Sequence, residues 1–167
     1  MDVATAIRTR RTHKQYGADA VDPATLEELL DLARYAPNHK LTQPWRFRVL
    51  GPEAVGRLKE IGGEKETAKL ARAPTLVLAT AVMTGDALQD EEDLLATGCA
   101  VYAVLLVAHE RGLASYWRTP GILRTPEGRA AVGLRDDERV VSLIHLGPRI
   151  SVPPEKHRDA TPVEWLP

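Results

Sequence analysis

The chain has one cysteine, few aromatic side chains and almost no net charge, and these shortages close off whole classes of function. Cys99 alone can form neither an intramolecular disulfide nor a cysteine-cluster metal site, and it suits a reducing cytoplasm, where the chain is expected to work. With 22 basic against 23 acidic residues the net charge is -1, so no overall field draws the protein to nucleic acid or to an anionic membrane. Any anion site has to be local. The longest apolar stretch, Leu94 to Ala108, is fifteen residues with Thr97 and Gly98 inside it, short of the roughly 20 that span a bilayer. The opening MDVATAIRTRRTHK lacks the apolar core of a signal peptide. No Gly-x-Gly-x-x-Gly, Gly-x-x-x-x-Gly-Lys or Gly-x-Ser-x-Gly occurs, which argues against a Rossmann site, a P-loop and a serine-hydrolase elbow. The five histidines (13, 39, 109, 145, 157) show neither i, i+4 pairing nor a carboxylate frame, so no metal site and no protein-borne catalytic dyad is expected.

What is present is ordinary for a globular chain: 44% hydrophobic and 27% charged residues over 167 positions. That length fits one domain, 1–167, able to bury roughly 70% of its unfolded surface. Asp2 can cap a short helix with Val3, Ala6 and Ile7 on one face. Asp22-Pro23 starts a second helix with a Leu26, Leu29, Leu30, Ala33 stripe, which Pro37 stops. Trp45 to Leu50 alternates as a half-buried strand, with Trp45, Phe47 and Val49 on one face, and Gly51-Pro52 ends it. Val55 to Lys69 reads as helical pieces around a mobile turn at Gly62-Gly63. Leu76 to Val82 is a strand covered on both faces. A helix from about Glu92 to Arg111, closed by Gly112, is apolar around its axis and has to be covered on nearly every side, by a second subunit if the chain itself is too short. Ala114 to Trp117 is a short strand, Pro126 to Val132 a helix and Val140 to Leu146 a buried strand. The tail 147–167 carries five prolines and reads as an extended arm. Strands alternate with helices, so the class is mixed α and β around a small central sheet.

Three segments concentrate chemistry. Arg10-Arg11-Thr12-His13-Lys14 places three cations and a hydroxyl directly after a helix, a set that can bind a phosphate; a solvated basic face has the same composition. Ala36 to Trp45 packs amide and imidazole donors between Pro37 and Pro44, which suits a preorganised polar site as well as a tight loop with Asn38 as a cap and Trp45 in the core. Trp117-Arg118-Thr119-Pro120-Gly121 joins a flat ring, a cation and a turn at a strand end, although a tryptophan is more often core than cofactor wall.

In this order and spacing the three segments resemble the nitroreductase family, in its small single-domain branch. The resemblance spans most of the chain: an early Arg-Arg-Thr, the Pro37-x-His39-x-x-x-Gln43-Pro44-Trp45 loop, an alanine-rich helix ending in Gly-Leu, the Trp-Arg-Thr turn, and a hydrophobic strand ending in Leu-Gly. It implies an α+β sandwich with a central, mainly antiparallel sheet flanked by helices. The domain would be completed by dimerisation, with FMN at the subunit interface of a homodimer. It further implies that Arg10, Arg11 and Thr12 hold the FMN phosphate and ribityl chain and reach the pyrimidine edge, where Arg10, Arg11 or Lys14 would stabilise the reduced flavin. His39, beside Gln43, would be offered to flavin bound mainly by the other subunit. Trp117, Arg118 and Thr119 would pass beside the isoalloxazine with main-chain contacts, and Arg158 would add to the phosphate. Tyr35 stands where similar small members have an arginine directed at the cofactor, so one charge contact is either missing or replaced by a phenol. Asn38 replaces a common Asp or Ser, and the helical insertions of larger members are lacking.

The implied activity is transfer of hydride from NADH or NADPH to a small nitroaromatic, quinone-like or other conjugated acceptor in two half-reactions, with FMN carrying the chemistry. Alternatives are a flavin-dependent dehydrogenase or dehalogenase on the same site, a flavin-binding protein without turnover, and a small α/β protein without cofactor.

Overall fold

Asp2 accepts the Thr5 amide at 3.0 Å and so starts α1 (Val3–Thr9). Asp22 does the same for Thr25 at the head of α2 (Pro23–Leu32), where Pro23 occupies the first turn, whose amide has no helical partner to lose. These local signals are met in a computed structural model that describes residues 1–167. The remaining elements are β1 (Trp45–Val49), α3 (Pro52–Leu70), β2 (Thr75–Val82), α4 (Ala87–Glu110), β3 (Leu113–Arg118), α5 (Pro126–Ala131) and β4 (Glu138–Pro148).

The strands form one antiparallel sheet in the order β1-β2-β4-β3. β2 is central and alternates between two cores. Val77, Ala79 and Ala81 face α2 and α4 together with Trp45, Ile144 and Leu146, whereas Leu76 and Leu78 face α3 and α5 with Leu58, Leu70 and Leu143. Burial on both faces is the reason this segment is an unbroken apolar run. On β1 Trp45 is buried and Phe47 half-buried, as the alternation predicts. Val49, expected on the same buried face, is 53% exposed, because it ends an edge strand whose buried part, Trp45 and Phe47, packs into the α2–α4 core.

Three other expectations are corrected. α3 begins at Pro52, not Val55, since the proline that ends β1 also opens the helix; Gly63, at φ 66°, breaks it as the glycine pair suggested. α4 begins at Ala87 rather than Glu92. Asp86 caps it through the Gln89 amide, and Asp90 takes the amides of Thr84 and Gly85, so acids at the helix head organise a turn that has no apolar periodicity to reveal it. α4 is also not covered all round within this chain: Leu88, Leu95 and Tyr102, seven residues apart, are 69%, 66% and 37% exposed. It is the one helix long and apolar enough by composition to cross a membrane, but its other faces form the core.

Against β4 the register of β2 slips from Ala79↔Ser142 to Thr80↔Val140, which leaves Val141 bulged. The carbonyl of Val141 accepts the indole N–H of Trp117 at 3.2 Å. Beyond Pro148 the chain has no helix or strand, and it returns to the N-terminal segment, where Glu155 pairs with Arg11 at 3.3 Å.

Candidate functional site

The residue after α1 leaves the helix with extended backbone, and from Arg10 the chain runs along the start of β3, held by the His13 amide on the carbonyl of Ser115 at 3.0 Å. This track brings Arg10, Arg11, Thr12 and Lys14 to one side of a cavity of about 160 Å³. Pro153, Pro154, Lys156 and Arg158 of the C-terminal arm form the other side. Apart from the two prolines, every residue that lines it is a cation or a hydroxyl. Arg11 meets Glu155, whereas Arg10, Lys14, Lys156 and Arg158 have no carboxylate within 4 Å. A wider cavity of about 670 Å³ adjoins it, shares Arg10, Lys156 and Arg158, and adds Ile7, Arg8, Tyr102, Glu155 and His157. A cluster of cations without carboxylate partners in a chain of net charge -1 has the composition that a local anion site requires.

Beneath the arginines lie two buried imidazoles. His109, in the last turn of α4, meets Thr9 Oγ1 through Nε2 at 2.8 Å. Its burial, and then the charges of Arg149, His13, Arg10 and Arg11, hold it below the ordinary histidine value. Burial, then Arg149 and Arg10, lower His13 as well.

The second segment folds into a turn at the opposite end of α4. His39 Nδ1 lies 2.7 Å from Glu92 Oε2, and Thr42 donates its hydroxyl to Asp93 Oδ1 at 2.6 Å. Asn38 does not cap a helix. It braces the turn instead, giving Nδ2 to the Ala36 carbonyl and accepting the Gln43 amide. Tyr35 is 70% exposed and accepts from Arg34 Nη2 at 3.1 Å, so the arginine next in sequence lies against the phenol.

Trp117 packs against the α2–α4 core with its N–H on the bulge. The Arg118 side chain points to the other face of the sheet and pairs with Glu66 on α3. Thr119 is exposed.

The structure thus brings Arg10, Arg11, Thr12, Lys14 and Arg158 together and keeps His39, Gln43 and Tyr35 apart from them. From Glu92, the partner of His39, to Tyr102 on the wider cavity is ten residues of α4, about 15 Å; to His109, the partner of Thr9, is seventeen, about 25 Å. Lys156, Glu92 and Asp93 are residues that sequence reasoning missed. The alternation Lys156-x-Arg158 was an available signal for the first; for the two acids in the Glu91-Glu92-Asp93 run there was none.

The nitroreductase family model matches residues 7–73, which contain the arginine segment and the His39 turn. A Bacillus subtilis protein named provisionally as an NAD(P)H nitroreductase is 29% identical over 94% of this chain and 88% of its own. Among solved structures, a nitroreductase-like protein from Bacillus cereus superposes with a TM-score of 0.87 at 27% identity, over 96% of this chain and 92% of that one. A provisionally named nitroreductase from Desulfovibrio desulfuricans, solved in complex with FMN, shares the fold with a TM-score of 0.80 at 24% identity, over 94% and 91% of the two chains. Motif order, sheet topology and these likenesses agree in making the chain similar to the nitroreductase family.

Proposed function

We propose that the protein is an FMN-dependent oxidoreductase that takes hydride from NADH or NADPH and passes it to a small conjugated acceptor, nitroaromatic or quinone-like, and that it acts as a homodimer with flavin at the subunit interface. The observation that carries this reading is the polar cavity between Arg10–Lys14 and Lys156–Arg158. A phosphate dianion suits four unpaired cations and the Thr12 hydroxyl, and the FMN bound by the Desulfovibrio relative carries one such group. Bound FMN supplies the two-electron carrier, so the chain itself needs no nucleophile or acid–base pair. Its own residues bind and orient. Arg10, Arg11, Lys14, Lys156 and Arg158 hold the phosphate, and a cation turned to the pyrimidine edge favours negative charge there. The Trp117–Thr119 main chain would hold the ring, since the Arg118 side chain is occupied elsewhere by Glu66.

The division of the candidate residues supports the dimer. The bare α4 face of Leu88, Leu95 and Tyr102 is self-complementary when two copies cross antiparallel about a twofold axis. That arrangement sets the His39 end of one α4 beside the Arg10 end of the other, so His39, Gln43 and Tyr35 complete the partner's cofactor site.

The test is the visible spectrum of the purified protein before and after anaerobic NADH or NADPH. A flavin band that bleaches is expected. A colourless protein that also ignores added FMN removes the proposal, and a band that does not bleach reduces it to flavin binding without turnover.

A further inference from the structure

Building on the proposed flavin site, we propose that Asp93, through Thr42, is a positioning residue that sets the His39–Gln43 turn in its cofactor-ready shape before any cofactor arrives. The turn is built against its own preferences. Lys40, Leu41 and Gln43 have φ of 54°, 54° and 45°, and none is glycine. Left-handed backbone at such residues is strained and persists only where the surroundings over-determine it.

The surroundings here come from α4. Asp93 is 2% exposed, and the side-chain donor given to its carboxylate is Thr42, at 2.6 Å from Oδ1. A buried carboxylate deprived of its donor is strongly destabilised, so the hydroxyl of an otherwise exposed threonine is drawn to that one place. One residue earlier on the helix, Glu92 takes His39 Nδ1 at 2.7 Å. Both ends of the turn are therefore fastened to one rigid element, and Asn38 closes it from within by accepting the Gln43 amide. α4 also carries the bare face of Leu95 and Tyr102, so whatever places that helix in a dimer places the turn with it.

Two variants separate positioning from simple structural support. Thr42→Val keeps the shape and removes the donor; Thr42→Ser restores it. The readouts are FMN affinity of the apoprotein by fluorescence quenching, amide hydrogen exchange of residues 39–43 without cofactor, and kcat at saturating FMN. Thr42→Val should bind FMN about tenfold more weakly and exchange those amides faster, yet recover wild-type kcat once saturated, because no reacting group is altered. Thr42→Ser should stay within about threefold of wild type in affinity. Asp93→Leu, similar in size without the acceptor, should repeat the valine result, and Asp93→Asn, which keeps an acceptor, should not. A Thr42→Val protein that binds FMN within about twofold of wild type, or whose turn amides exchange at the wild-type rate, overturns the inference. A wild-type protein that binds no FMN overturns the flavin reading instead, and the exchange comparison then still decides the clamp.

Discussion

Arg118 on β3 donates from Nη2 to Glu66 on α3, 2.6 Å from Oε2, with the two side chains only 10% and 13% exposed. The pair ties the end of an edge strand to the helix that Gly63 interrupts, and so holds the start of the 119–121 turn. Glu66→Ala leaves a nearly buried guanidinium without its counter-charge. A loss of about 3 kcal/mol is expected from urea unfolding, with Glu66→Gln falling between that and wild type because an acceptor remains. A change below about 0.5 kcal/mol in Glu66→Ala would show that the contact is no more than a surface pair.

Arg10 lines both cavities and has no carboxylate partner. Arg10→Ala should remove a charge-assisted contact of roughly 1.5 to 3 kcal/mol and weaken FMN by about tenfold to a hundredfold. Arg8 lines the wider cavity alone, so Arg8→Ala should have a smaller effect. The appropriate control is exposed Arg139 on β4, which borders neither cavity. Equal losses at Arg10 and Arg139, measured by FMN titration, would return the cluster to a solvated basic face.

His145, 1% exposed on β4, makes no hydrogen bond through either ring nitrogen and lies 5.8 Å from the Tyr116 ring. Burial, then Arg118 and Arg72, push its pKa down to about 4 from the ordinary 6.5. Between these two values the unfolded chain binds a proton that the folded chain refuses. Stability is therefore full above pH 6.5, falls as the pH drops towards 4, and levels off below, with up to about 3 kcal/mol at stake. Lowered values at His13 and His109 add in the same direction. His145→Leu should flatten this part of the curve, since no hydrogen bond is lost. Unfolding free energies for both proteins at pH 7 and pH 4.5 make the comparison.

If flavin touches both subunits, it binds the dimer more tightly than the monomer, and linkage requires that it strengthen the dimer by the same factor. Removing FMN should lower the Tm and make it depend more on protein concentration. Leu95→Glu, on the bare face of α4, should give a monomer with weakened flavin, and His39→Ala should weaken flavin without unfolding the chain. Sedimentation velocity over a dilution series is the measurement; a holo monomer at micromolar concentration that keeps its FMN would sink the shared site.

Donor and acceptor that use one stacking slot in turn give parallel lines in steady-state double-reciprocal plots. Intersecting lines would mean that both bind at once, and the single-slot mechanism would have to be replaced.

The helix caps at Asp2 and Asp22, the doubly buried run of β2, the interruption of α3 at its glycine pair and the arginine segment were all readable from the sequence. Each depends on forces that act within a few residues: a carboxylate on an amide three positions away, a side chain every second or every fourth place, a backbone that only glycine tolerates. What depended on distant partners was not readable. Thr42 reaches Asp93 across 51 positions and Arg118 reaches Glu66 across 52, and nothing local marks either acid as a partner. Lys156 joins Arg10 because the arm after β4 comes back past the first helix, and Val49 lies exposed because the order β1-β2-β4-β3 puts its strand at an edge. The sequence by itself determined the order of the main helices and strands and the arginine segment that carries charge to the candidate site. The tertiary structure alone decided which of those charges meet, because burial and ion pairing over tens of residues depend on how the layers pack, and neighbouring side chains do not encode that.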